Sequence, residues 1–186
     1  MMLKIAVIAG STRPGRKAET VAKWVIEHAA KRGDATFELV DLASFHLPIL
    51  DEAMPASMGQ YAHPHTKKWA ETIAKYDGFV FVTPEYNHSI SGALKNALDF
   101  IYQEWNNKAA GIVGYGGQGA ARAVEHLRGI LGELQIADVR SAVHLSMIND
   151  FEGWTTFKPT AALEAPLKAM LDQVVSWSTA LKTVRK

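Results

Sequence analysis

Three short stretches carry the residue types that ligand chemistry needs. The first is Gly10-Ser11-Thr12-Arg13-Pro14-Gly15-Arg16-Lys17, with two hydroxyls and three cations among small residues. Ahead of a helix, such a run suits an anion. Unpaired N–H groups point outward, the helix dipole favours negative charge, and an arginine fork grips phosphate oxygens. Gly10 and Gly15 have the spacing of a nucleoside-triphosphate loop, but Arg16-Lys17-Ala18 stands where Lys-Ser/Thr is required. No hydroxyl is then left for Mg²⁺. A monophosphate cradle is favoured, and a solvated basic loop is the alternative.

The second stretch is Thr83-Pro84-Glu85-Tyr86-Asn87-His88-Ser89-Ile90-Ser91-Gly92. Tyr86 offers a flat apolar face, and Asn87 offers both a donor and an acceptor. Together they suit a ring with alternating donors and acceptors, such as a pyrimidine edge. Two plainer readings stay open. Ser91 can cap the next helix, and Glu85 and Asn87 can simply fasten the turn.

The third stretch, Gly114-Tyr115-Gly116-Gly117-Gln118-Gly119, spells G-x-G-x-x-G. In a dinucleotide fold that string follows the first strand, and an acid ends the next strand about 20 residues on. Here it follows the fourth strand, Asp138 is expected just before the fifth, and the fifth ends at Leu145-Ser146 without an acid. No second nucleotide-binding half can follow. The glycines mark a close backbone approach or a positive φ, and a tight strand-to-helix turn is their plainer reading.

Alternating elements must position these stretches. Near-continuous apolar runs at 3–9, 36–40, 78–83, 109–115 and 139–145 read as strands. Helical patterns cover about 18–31, 69–75, 92–102, 119–132 and 160–181, while 43–64 and 147–160 read as irregular. Pro84 should stop the third strand. Strands alternating with helices imply a parallel sheet covered on both faces. The expected order is 2-1-3-4-5, with its switch point between strands 1 and 3. Ligands bind beyond the strand ends there, so function is expected in the loops after Ala9, Val82 and Val113.

Composition narrows the classes. At 186 residues and 48% hydrophobic, the chain suits one domain spanning 1–186 with a real core. A net charge of +1 argues against nucleic-acid or membrane-surface binding. No run approaches the roughly 20 apolar residues of a membrane span, and the start does not read as a signal peptide, so a cytoplasmic location is expected. Cysteine is absent, which excludes disulfides and thiolate chemistry. His63-Pro64-His65 is a weak metal signal without a neighbouring carboxylate, and no metal site is expected.

Taken together, the three stretches resemble the NADPH-dependent FMN reductase family of flavodoxin-like proteins. That group includes FMN, quinone, chromate and azo-dye reductases. The resemblance rests on Gly10-Ser11-Thr12-Arg13 and on Pro84-Glu85-Tyr86-Asn87-His88-Ser89 with Gly92-Ala93-Leu94-Lys95-Asn96-Ala97-Leu98-Asp99. It rests further on Gly114-Tyr115-Gly116-Gly117 with Ala121-Arg122 and His126-Leu127-Arg128, and it covers about residues 3–145.

The resemblance implies an α/β, flavodoxin-like three-layer sandwich that holds FMN without covalent linkage. Ser11, Arg13, Arg16, Lys17 and Ala18 would surround the phosphate. Pro84, Glu85, Tyr86 and Asn87 would run along the flavin ring, and Gly114, Tyr115, Gly116 and Gly117 would line its other side. Many relatives have a serine where Lys17 or Ala18 stands here, so charge replaces a hydroxyl at the phosphate.

The implied activity is an NAD(P)H-dependent FMN or quinone reductase. NADPH (or NADH) and a small-molecule electron acceptor would share one flavin face, with ping-pong kinetics and no catalytic side chain. A flavin-binding electron carrier or regulatory module without turnover is the alternative; the near-neutral charge counts against a carrier. The helix carrying Leu94, Leu98, Ile101, Tyr102 and Trp105 must give part of its apolar stripe to the core; Ile101, Tyr102 and Trp105 leave enough for a partner helix, and a stripe wholly in the core is the plainer reading. The resemblance implies a homodimer through this helix, or a homotetramer.

Overall fold

The structure is a computed structural model that describes residues 2–185. Five parallel strands form one sheet in the order β2-β1-β3-β4-β5. They are β1 (Leu3–Ala9), β2 (Ala35–Asp41), β3 (Gly78–Pro84), β4 (Lys108–Gly116) and β5 (Ile136–Ser146). Five α-helices cover them: α1 (Ala18–Ala29), α2 (Pro64–Ala74), α3 (Gly92–Asp99), α4 (Ala121–Glu133) and α5 (Glu164–Lys182). This is the α/β arrangement that the strand and helix patterns imply.

Strand periodicity builds the two outer layers. Successive side chains leave opposite faces of a strand. Ile5, Val7, Val80, Val82 and Val113 therefore pack against α1 and α5, through Val21, Val25, Met170 and Val174. Ala6, Ile8, Phe79, Phe81 and Ile112 point the other way, onto Trp69, Leu94, Leu98 and Leu127 of α2, α3 and α4. β3 and β4 are buried along their whole length, which is why they read as unbroken apolar runs rather than alternating ones.

Several expectations shift, but Pro84 does end β3. It is the last paired residue, opposite Tyr115, and the Glu85 N–H then donates to Tyr115 O at 2.9 Å. A proline at a strand's last position loses little, because the next amide carries the ladder on. β5 begins at Ile136, so Asp138 lies inside the strand, paired with Arg128. Its carboxylate is thereby committed to α4. α2 begins at Pro64, where proline's missing N–H is harmless. The segment 147–160 contains a small antiparallel hairpin, β6 (Phe151–Glu152) and β7 (Thr156–Phe157), instead of loop alone.

Most of the apolar stripe after the second loop is core: Leu94, Leu98, Ile101 and Trp105 are buried, and Tyr102 is half-buried. α3 ends at Asp99, and the following turns swing Ile101 and Trp105 inward to complete burial. Trp105 packs edge-on against Phe79 at 5.0 Å, and the Tyr102 hydroxyl donates to Glu133 O at 3.1 Å. The helical spacing assumed for this stripe does not hold beyond Asp99. Four exposed apolar side chains stand in the segment after β2, at Ile49, Leu50, Met54 and Met58, and others lie elsewhere, such as Trp177 on α5.

Candidate ligand site

The carboxyl ends of β1, β3 and β4 meet at one cavity of about 340 Å³. It lies at the switch point, where β1 pairs with β2 on one side and β3 on the other. Arg13, Pro14, Gly15, Arg16 and Lys17 form one wall, Pro84, Glu85 and Tyr86 a second, and Tyr115, Gly116 and Gly117 a third. All three sequence stretches thus contribute to one site.

The first wall is cationic and shaped by short contacts. Gly10 N–H donates to Val82 O at 2.8 Å, tying the loop to β3. Arg16 N–H donates to Arg13 O at 3.0 Å, closing a turn that leaves Gly15 at φ +72°. The Arg16 guanidinium binds Asp41 at the end of β2 through Nη2, while its Nε is buried without a partner. α1 starts immediately afterwards with no side-chain cap, so its first amides are free for an anion.

The second wall is a tight hairpin. Tyr86 and Ser89 exchange backbone hydrogen bonds at 2.9 and 3.1 Å, with Asn87 and His88 at φ +49° and +68° between them. Asparagine and histidine are among the side chains that best tolerate this conformation. Glu85 faces α4: Arg122 Nε donates to it at 2.7 Å and the Ala123 N–H at 3.3 Å. Burial raises its carboxyl, but Arg122 and the Ala123 amide outweigh this and hold it below the usual range. Glu85 is therefore an ionised fastener and a poor proton donor. Ser91 caps α3 by accepting from Leu94 N–H at 3.1 Å, and its hydroxyl also donates to Gly10 O. The capping expectation for Ser91 holds, and the cap binds the second loop to the first.

The third wall separates its glycines by role. A Cβ at Gly114 would come within 2.9 Å of Ala120 Cβ and 3.0 Å of Val124, so this glycine lets α4 sit close on β4. At Gly116 a Cβ would press on Glu85 Cβ at 3.1 Å, whereas at Gly117 it would meet nothing within 4 Å. Tyr115 lies beneath the cavity; burial pushes its phenol well above the ordinary tyrosine range, with the neighbouring Tyr86 adding to this. The nearby Ser11 hydroxyl and Ala18 amide oppose this rise, though neither meets its hydroxyl in full hydrogen-bonding geometry.

Nine of the sequence-nominated residues line the cavity: Arg13, Arg16, Lys17, Pro84, Glu85, Tyr86, Tyr115, Gly116 and Gly117. Ser11, Ala18, Asn87 and Gly114 do not. Ser11 and Ala18 are fully buried behind the wall, where Ser11 Oγ lies 3.1 Å from the Tyr86 hydroxyl. Asn87 sits at the hairpin tip and Gly114 lies under α4. Pro14 and Gly15, inside the first stretch, line the cavity without having been nominated, as do Met147 and Trp154; these last two were missed outright. Both lie in the segment read as loop, and a lone tryptophan among polar residues was the available signal. The His63 and His65 rings stack 5.2 Å apart, away from this cavity, with His65 Nε2 2.9 Å from Asp51 Oδ1.

Such an arrangement suits a ligand with an anionic end and a flat ring. Among the described residues, five buried side-chain polar atoms lack a partner, and two of them, Arg16 Nε and Tyr115 Oη, belong to this cavity's walls. Buried donors are normally satisfied, so ligand oxygens fit there. Glycine edges leave room for a ring beside Tyr86.

The family model described as NADPH-dependent FMN reductase matches residues 3–150. An NAD(P)H-dependent FMN reductase of Schizosaccharomyces pombe is 44% identical over 135 residues, 72% of this chain and 68% of that relative. A 2-hydroxy-1,4-benzoquinone reductase of a Burkholderia species is 35% identical over 143 residues, 73% of this chain and 74% of that relative. Among solved structures, the flavoenzyme NAD(P)H:(acceptor) oxidoreductase FerB of Paracoccus denitrificans superposes with a TM-score of 0.74. It is 22% identical, covering 96% of this chain and 98% of that one. At that identity the likeness speaks for the flavodoxin-like fold alone.

Proposed function

The chain belongs to the NADPH-dependent FMN reductase family, and from that premise we propose that it moves electrons from NADPH (or NADH) to a flavin, quinone or similar small acceptor. The observation that carries this reading is one open cavity at the switch point, cationic at one end and flat, glycine-edged and aromatic at the other. FMN fits it: a monophosphate for Arg13, Arg16, Lys17 and the free amides of α1, and a ring beside Tyr86 and Gly116-Gly117.

When bound, FMN supplies hydride and electron transfer. The chain's own residues bind and orient. Arg16, held by Asp41, presents Nε without conformational search. Ser11 braces the Tyr86 hydroxyl from behind. Glu85 keeps the second and third walls together through Arg122. No side chain of the cavity is poised as a proton donor or acceptor, so catalysis rests on placement and exclusion of water. Because nicotinamide and acceptor reach one mouth, they enter in turn.

Initial rates with both nicotinamides and a panel of free FMN, quinone and azo acceptors test the reading. Parallel double-reciprocal lines are expected, as for a ping-pong scheme. Converging lines would rule out the shared mouth, and bound FMN without turnover would make the protein a carrier. A homodimer or homotetramer goes with this reading. With Ile101 and Trp105 in the core, the exposed Ile49–Met58 segment is one apolar surface available for it, and light scattering checks the assembly.

A further inference from the structure

The hairpin β6–β7 carries an aromatic ring in an unfavourable place. Thr155 N–H donates to Glu152 O at 3.1 Å, and the two residues between, Gly153 and Trp154, have φ +58° and +63°. Two successive left-handed residues make the tight turn that suits hairpins, and the second position favours glycine, asparagine or aspartate. A tryptophan there strains its Cβ against the backbone. Its indole is also 60% exposed, so burial does not offset the strain. Strained, exposed side chains held in place by their surroundings cluster at ligand clamps.

The surroundings do hold it. Phe151 packs 5.0 Å from Phe157 and 6.2 Å from Tyr115, and Phe157 meets Trp24 edge-on at 5.6 Å. Lys158 N–H donates to Asp150 O at 2.8 Å, and Met147 N–H to Gly116 O at 3.0 Å. The tip is thereby fixed over the cavity rim with Met147 beside it. Trp154 also lies past the residues matched by the family model, which end at 150.

We propose that Trp154 is a stacking residue: its indole packs against a flat conjugated ring bound in the cavity and sets which ring is retained there. The inference rests on the FMN-reductase reading above. The ring belongs to the flavin, to the nicotinamide nucleotide or to a quinone acceptor, and the arms of the test tell them apart.

Trp154→Asn and Trp154→Phe are compared with the wild-type full chain. Asparagine tolerates the left-handed turn, so the Asn variant is expected to melt no lower than wild type. FMN is titrated into flavin-free protein by its fluorescence; NADP⁺ and menadione are titrated into FMN-loaded protein by difference absorbance. Ring stacking is worth a severalfold to hundredfold change, so Kd is expected to rise about tenfold in Trp154→Asn and much less in Trp154→Phe. The arm in which it rises names the ring. Dissociation constants all within twofold of wild type would overturn the proposal, as would a lower melting point with unchanged binding. Failure of the wild type to bind FMN would instead overturn the functional reading, and the stacking role with it.

Discussion

Ser11 Oγ lies 3.1 Å from the Tyr86 hydroxyl, joining the loop after β1 to the loop after β3 behind the cavity wall. Ser11 is wholly buried and does not reach the cavity itself. Its contribution to a ligand is therefore indirect, through the pose of Tyr86. Tyr86→Phe and Ser11→Ala are each expected to raise the FMN Kd about fivefold, the scale of one lost hydrogen bond. The double variant should be little worse than either single one, since both remove the same bond. Additive losses in a fluorescence titration would show that the two act separately.

Arg16 is anchored by Asp41 and keeps a buried, unpaired Nε. Lysine retains the charge but has no Nε and no fork. Arg16→Lys is expected to weaken FMN binding about tenfold, and riboflavin binding hardly at all. Equal losses for FMN and riboflavin would place the phosphate elsewhere.

Gly114 and Gly117 should respond oppositely to the same substitution. A side chain at Gly114 collides with Ala120 and Val124, while at Gly117 the space is open. Gly114→Val is expected to destabilise the fold by about 2 kcal/mol, as overpacking does, read from urea midpoints. Gly117→Val is expected to leave the midpoint near wild type and to weaken FMN binding by crowding the cavity edge.

Lys108 is 6% exposed; its Nζ donates to Ile73 O at 3.1 Å and lies 5.4 Å from the Phe79 ring centre. Burial, and then the Arg185 charge, push its ammonium down to about 8, against the pull of Asp77 and Glu104. The unfolded chain keeps that proton up to about 10.5. Between these values the unfolded state binds more protons, so this group's contribution to stability rises with pH; below pH 8 its full penalty is present. Lys108→Met is expected to gain about 2 kcal/mol at pH 7 and to flatten the rise between pH 8 and 10. Urea unfolding at a series of pH values checks both, and an unchanged slope would falsify the assignment.

Local pattern alone determined much of this protein. Unbroken apolar runs such as Phe79-Val80-Phe81-Val82 identify strands buried on both faces, because only a covered parallel sheet shields both sides of a strand. Their alternation with helices leaves one common strand order, which places the loops after Ala9, Val82 and Val113 side by side. Gly10–Lys17 reads as an anion loop for equally local reasons. Packing decided the rest. Whether Gly114 clears room for a ligand or for α4 depends on an element that follows it in the chain and returns over it. Ile101 and Trp105 were legible as apolar, but α3 ends at Asp99, and only the turns beyond it direct both residues inward. Ser11 and Tyr86 are 75 positions apart, and Trp154 reaches the cavity through a hairpin held by Phe151 and Phe157. Contacts between residues so distant in sequence exist only once the sheet has brought its strand ends together, so the finer shape of the site belongs to the tertiary structure.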